Sequence, residues 1–234
     1  MEGIDWVHAI LFYAVLLISL VVHEAAHALT ALWGGDRTAY LGGQVTLNPM
    51  PHIRREPFGT VLLPIAVLIF SGATMCMGYA YTPIDPIWAY RHPKKAALLS
   101  AAGPLSNFVL AGIALLVLKI LVAQGHVEVR SASLFEVFLP SDGATDGALF
   151  ATCNICTVFL LLNLLLGILN LIPWPPLDGA GILGGFFPKT MGRVYDYLRT
   201  QPIFMLMGFA AIFFTIQKPV IWAFNYAVIL IKVG

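Results

Sequence analysis

The chain has 234 residues, of which 59% are hydrophobic and only 11% charged, with a formal net charge of +1. A soluble domain is about a quarter charged, so this composition, with a mean hydropathy of +0.84, excludes one and describes a polytopic helical membrane protein. The small net charge and the lack of an arginine-rich run exclude nucleic-acid binding, and three cysteines make no disulfide framework.

Apolar stretches long enough to consider as membrane segments lie at about 6–34, 58–80, 96–123, 150–173 and 202–233. The first follows Glu2 and Asp5 with no Lys or Arg before it, unlike a secretory signal peptide, and is expected to be retained. Between the first two, Tyr40, Gln44, Val45, Thr46 and Leu47 favour extended structure around Gly42-Gly43, which predicts a short β-hairpin or ribbon at 41–47. The stretch 58–80 carries Pro64, Gly72 and Gly78. If it re-enters rather than crosses, Arg37, Arg54, Arg55, Arg91, Lys94, Lys95, Lys189, Arg193 and Arg199 gather on one face, with only Arg130 in a loop opposite. The positive-inside rule then makes that face cytoplasmic and the acidic loop 124–149 external. The last stretch is interrupted at Gln217-Lys218-Pro219, as one kinked helix or two short segments. The expected fold is all-α and polytopic, with about four to six membrane segments, a re-entrant segment and a short β-hairpin near the active site. One domain, 1–234, is expected, with a core at about 6–188 and C-terminal membrane segments at 202–233.

His23 and His27 stand one helical turn apart, so both imidazoles share a face and can bind one metal ion, with Glu24 beside them in reach of a metal-bound water. Ionisable groups at membrane depth are costly and mark function, and H-E-x-x-H would arise by chance in such a composition roughly 0.003 times. A zinc site of this kind needs a third ligand. In "NLIPWPPLDG", Asn170, Pro173, Pro175 and Pro176 interrupt the fourth stretch, and irregular backbone at membrane depth implies a cavity. Asp178 could project a carboxylate into it, and Gly179 would let the chain turn. In "AAGPLSNFVLAG", Pro104 suits a helix start, the small residues permit close packing, and the amide of Asn107 could face the cavity and hold a peptide carbonyl.

Taken in order, His23-Glu24-x-x-His27, Gly103-Pro104-x-x-Asn107 and Asn170-x-x-Pro173-x-Pro175-x-x-Asp178-Gly179 resemble the motifs of the site-2 protease family of intramembrane zinc metalloproteases. The chain is similar to its small prokaryotic members without a PDZ domain, over about residues 19–188, and Ala180 stands where a second glycine is frequent. The resemblance implies a Zn2+ cofactor held by His23, His27 and Asp178, with Glu24 as the base that activates water. It also implies a transmembrane protein as substrate, a lipid bilayer as surroundings, and an active site toward the cytoplasmic side of the plasma membrane. A homo-oligomer or a regulatory membrane partner stays open.

A strand edge at 41–47, through Gly43 and Val45, could pair with a locally unwound substrate, and Asn170 could support the site. Two other functions stay in view. A membrane metal-ion transporter would need further ligands along a path, and an inactive binder of membrane helices would have no use for Glu24. His52 is expected to bond a backbone carbonyl, and the C-x-x-C of Cys153 and Cys156 reads as packing.

Overall fold

The computed structural model describes residues 5–130 and 137–232. Helix α1 (Trp6–Gly34) starts where the Asp5 carboxylate accepts from the N–H groups of Val7 and His8. It stops at Gly35, whose φ of 103° suits glycine and whose N–H returns to Leu32. Its 29 residues reach about 44 Å, more than the bilayer core requires.

Residues 36–92 follow as α2 (Thr38–Leu41), α3 (Pro49–Arg55), a π-turn at Phe58–Leu62 that runs into α4 (Leu63–Phe70), which packs back along the N-terminal half of α1, and α5 (Pro86–Arg91). The Asn48 and Asp85 side chains cap α3 and α5, each with proline at the first helical position. After α4 the chain turns and runs extended back to its start, where Tyr79 N–H donates to Gly59 O at 3.0 Å and Arg55 lies 4.8 Å over the Tyr81 ring. The stretch 58–80 thus leaves and returns at one level, as a re-entrant segment does. The ribbon expected at 41–47 is not formed. Gly43 and Gln44 donate their N–H groups back to Tyr40 and Ala39, so Gly42-Gly43 ends α2 instead of bending a hairpin.

Helix α6 (Pro93–Ala123) returns beside α1, and Lys95 Nζ donates to Gly34 O at 3.0 Å where the two meet. Pro104 is an interior residue of α6, because Pro93 already opens the helix eleven residues earlier. Leu105, Val109, Ile113, Leu116 and Ile120 are exposed along one face of α6, the apolar stripe of a helix against lipid. The loop after α6 is more than a polar connection. Its strands β1 (Val127–Val129) and β2 (Phe138–Pro140) pair antiparallel with Glu128 opposite Leu139, and Phe138 is fully buried among Leu118, Cys153 and Phe224. The two-stranded hairpin therefore lies at the opposite end of α6 from the position expected for it.

Helix α7 (Gly147–Leu171) leads through a proline loop, with a cis peptide between Pro175 and Pro176, into α8 (Asp178–Phe186). A π-turn at Pro188–Gly192 and α9 (Arg193–Arg199) follow. The last stretch is α10 (Pro202–Thr215) and α11 (Gln217–Lys232), broken where Pro219 offers no N–H to Thr215. Among the described residues, α1, α6, α7 and the α10–α11 run are long and apolar enough to cross a membrane, which makes the chain an all-α polytopic protein. Phe12, Leu16 and Leu20 of α1 pack against Leu68, Val158 and Leu162, so α4 and α7 flank the helix that carries the paired histidines.

Candidate metal centre

His23, Glu24 and His27 lie about 11 to 16 Å along α1 from its Gly34 end, and all three are buried. Asp178 opens α8, where the helix N-terminus favours a carboxylate. Gly179 is helical, and glycine is needed there for close packing, since a Cβ would overlap the Leu171 and Ile172 carbonyls. The His23 and His27 Nε2 atoms face each other at 3.0 Å, and Asp178 Oδ2 is 3.1 Å from the first and 3.3 Å from the second. A tetrahedral ion with ligands at about 2.05 Å separates them by about 3.3 Å, so the three atoms form one face of such a tetrahedron.

The hydrogen bonds on the far sides of the rings fix what these atoms are. His27 Nδ1–H donates to the Leu99 carbonyl at 2.7 Å, and His23 Nδ1–H donates to Asn107 Oδ1 at 2.6 Å. In the neutral rings both Nε2 atoms therefore present lone pairs, and two lone pairs and a carboxylate converging at such distances suit a cation. Among the described residues no other group of three His, Cys, Asp or Glu side chains has this arrangement.

A cavity of about 580 Å³ opens beside the triad, lined by Glu24, Tyr79, Thr82, Ser100 and Asn170 among others. The Thr82 hydroxyl sits 2.7 Å from Glu24 Oε2 and 3.0 Å from the Glu24 carbonyl, which ties the end of the re-entrant segment to the glutamate. One amide hydrogen of Asn170 goes to the Leu166 carbonyl at 3.1 Å, and the side chain borders the cavity.

Three expected positions differ. Asn107 does not face the cavity: it is fully buried, with its oxygen on His23 and its Nδ2 donating to Asn163 Oδ1 at 2.8 Å. Gly43 and Val45 lie in the turn after α2, outside the cavity lining and on no strand edge. His52 is buried in α3 and donates from Nε2 to the Thr46 carbonyl at 3.1 Å, as expected of a structural histidine. Cys153 packs in the core. Two residues join the site beyond those expected: Thr82, for which the sequence holds no motif, and Asn163, whose signal is a lone amide in "VFLLLNLLLG".

The family model of peptidase family M50 matches residues 11–215, which takes in the stretches 124–149 and 189–215 that the motifs alone leave unassigned. YwhC of Bacillus subtilis (strain 168), which carries a provisional zinc metalloprotease name, is 33% identical over 178 residues, 74% of this chain and 67% of that protein. Rip2 of Mycolicibacterium smegmatis, named in the same way, is 29% identical over 174 residues, 74% of this chain and 56% of its own length. Rip2 of Mycobacterium tuberculosis (strain H37Rv) is 26% identical over 196 residues, 83% of this chain and 64% of its own length. The chain thus spans little more than half of the M. smegmatis relative. No solved structure matches it.

Proposed function

The chain belongs to peptidase family M50, and on that premise we propose that it is an intramembrane zinc endopeptidase that cuts a peptide bond within or beside a transmembrane helix of another protein. The observation that carries this reading is the convergence of His23 Nε2, His27 Nε2 and Asp178 Oδ2 within 3.0–3.3 Å of one another, beside Glu24 in one cavity. The residues fit zinc: two neutral imidazoles and one carboxylate are a common catalytic ligand set that leaves a position open. Zinc bound there acidifies water and polarises a carbonyl.

The chain's own groups do the rest. Glu24 takes the proton of the attacking water and returns it to the leaving amine. Thr82 holds one oxygen of that carboxylate, in a residue that lines the cavity. The second amide hydrogen of Asn170 is available to a substrate carbonyl. A peptide bond in a regular helix has its carbonyl already bonded, so the substrate must unwind before it reaches the site. The extended backbone at 77–82 borders the cavity and supplies the adjacent edge, in place of 41–47. Residues 6–188 form the catalytic core, with α10–α11 as a further membrane segment of the same domain. The clustering of basic side chains at the Gly34 end of α1 supports a plasma-membrane orientation with the cavity toward the cytoplasm.

The test is zinc content and cleavage of a panel of single-span helices in detergent, on wild type, Glu24→Gln and Asp178→Ala. One zinc per chain in wild type and Glu24→Gln, less in Asp178→Ala, and cleavage by wild type alone are expected. Cleavage that survives Glu24→Gln, or a zinc-free wild type, overturns the proposal.

A further inference from the structure

His23 and His27 are fixed in different ways. The carbonyl of Leu99, which receives His27 Nδ1–H, is part of the α6 backbone and cannot present a donor. The partner of His23 is an amide, and an amide turned over would present N–H groups to Nδ1 and move the ring proton to Nε2, where the metal should sit. Something must hold Asn107 one way round.

We propose that Asn163 is the positioning residue that fixes Asn107, and through it the metal-binding tautomer of His23. The Phe159 carbonyl can only accept, and Asn163 lies 2.9 Å from it, so the Asn163 atom there is Nδ2. The same Nδ2 lies 2.9 Å from Ser19 Oγ, whose own proton is donated to the Val15 carbonyl at 2.7 Å, leaving that oxygen as an acceptor. Asn163 Oδ1 must then point the other way, where it accepts from Asn107 Nδ2 at 2.8 Å. This places Asn107 Oδ1 against His23 and the ring proton on Nδ1. Four fully or almost fully buried side chains on α1, α6 and α7 thus form a one-directional chain, anchored on two backbone carbonyls and ending at a zinc ligand.

This inference rests on the zinc reading above, and its test is zinc affinity rather than cleavage. Full-length wild type, Asn163→Leu and Asn163→Ala, each also combined with Asn107→Asp, compete for zinc with a chromophoric chelator in detergent at neutral pH, with helical circular dichroism followed in parallel. Loss of the partner that orients a histidine ligand typically weakens metal binding about 10–100-fold, and both single variants are expected to do so. A carboxylate at 107 accepts from either oxygen and needs no orienting, so Asn107→Asp should restore affinity to within about threefold of wild type. Single variants that bind zinc as tightly as wild type overturn the proposal. A loss that Asn107→Asp does not restore also overturns it and assigns Asn163 to packing. A wild type without zinc removes the proposed function itself, and this inference with it.

Discussion

Gly103 on α6 lies so close beneath His23 on α1 that a methyl group on its Cα would overlap His23 Nε2, and His27 Nε2 as well. The small residue at this point does more than let two helices approach: it leaves open the space into which both Nε2 atoms point. Gly103→Ala is therefore expected to abolish zinc binding while the helical circular dichroism stays intact. Overpacking a tight core costs about 1–3 kcal/mol, and here the displaced groups are the proposed ligands themselves. An alanine variant that carries one zinc per chain would show that α6 can retreat without harm.

Thr82 has a single hydroxyl proton, placed between the carbonyl and the carboxylate of Glu24. Thr82→Val keeps the shape and removes the bond, which to a charged acceptor contributes about 1.5–3 kcal/mol. If the bond serves the transition state, kcat falls about 10–100-fold while KM and zinc content hold. Thr82→Ser, which keeps the hydroxyl, should recover most of the rate. No recovery in the serine variant would mean that the methyl group and the packing of the re-entrant segment matter instead.

Much of this site was legible in the residues, for physical reasons that differ from group to group. His23, Glu24 and His27 follow from helical spacing alone, because one turn of helix dictates that i and i+4 share a face. Asp178 was legible because prolines at 173, 175 and 176 forbid helix and force irregular backbone. Asn107 was legible as important but not in its direction. An amide in an apolar helix needs partners, and whether these lie in a cavity or on neighbouring helices depends on how α1, α6 and α7 rotate, which one helix's sequence does not encode. The ribbon at 41–47 failed because strand propensity in a short segment needs a partner strand to become structure. The strands at Val127–Val129 and Phe138–Pro140 gained one from each other and from the core that buries Phe138.

Asp36, just past α1, predicts a pH dependence outside the membrane. Burial pushes its carboxyl up, but bonds from the Thr38 hydroxyl, the Thr38 N–H and the Asp85 N–H more than offset this and leave it below the usual carboxylate range. A carboxyl lowered on folding stabilises the folded chain above its unfolded pKa, near 4, and that contribution is lost as pH falls through the lower folded value. Thermal unfolding in detergent should lose stability in that acidic window. Asp36→Asn, which cannot ionise, should be less stable at neutral pH and show a weaker acid dependence. An unchanged profile in the variant would assign the acid sensitivity to other carboxylates.

The arrangement of the membrane segments predicts which positions share a side. Arg54 and Arg91 bracket the re-entrant stretch and are both exposed, and the Tyr79–Gly59 bond returns the chain to the level at which it left. Arg130 follows β1 at the other end of α6, a helix of 31 residues that spans about 46 Å. Cysteines placed one at a time at these three positions, read above the background of the buried Cys76 and Cys153 and the half-buried Cys156, report sidedness through a membrane-impermeant maleimide. With the basic face inside, Arg130→Cys should react in intact cells, and Arg54→Cys and Arg91→Cys only after permeabilisation. The reverse pattern would turn the chain over and put the cavity toward the outside. Opposite behaviour at Arg54 and Arg91 would mean that residues 58–80 cross the bilayer. Thr82 would then have to reach Glu24 from the far side, against a bond of 2.7 Å to its carboxylate.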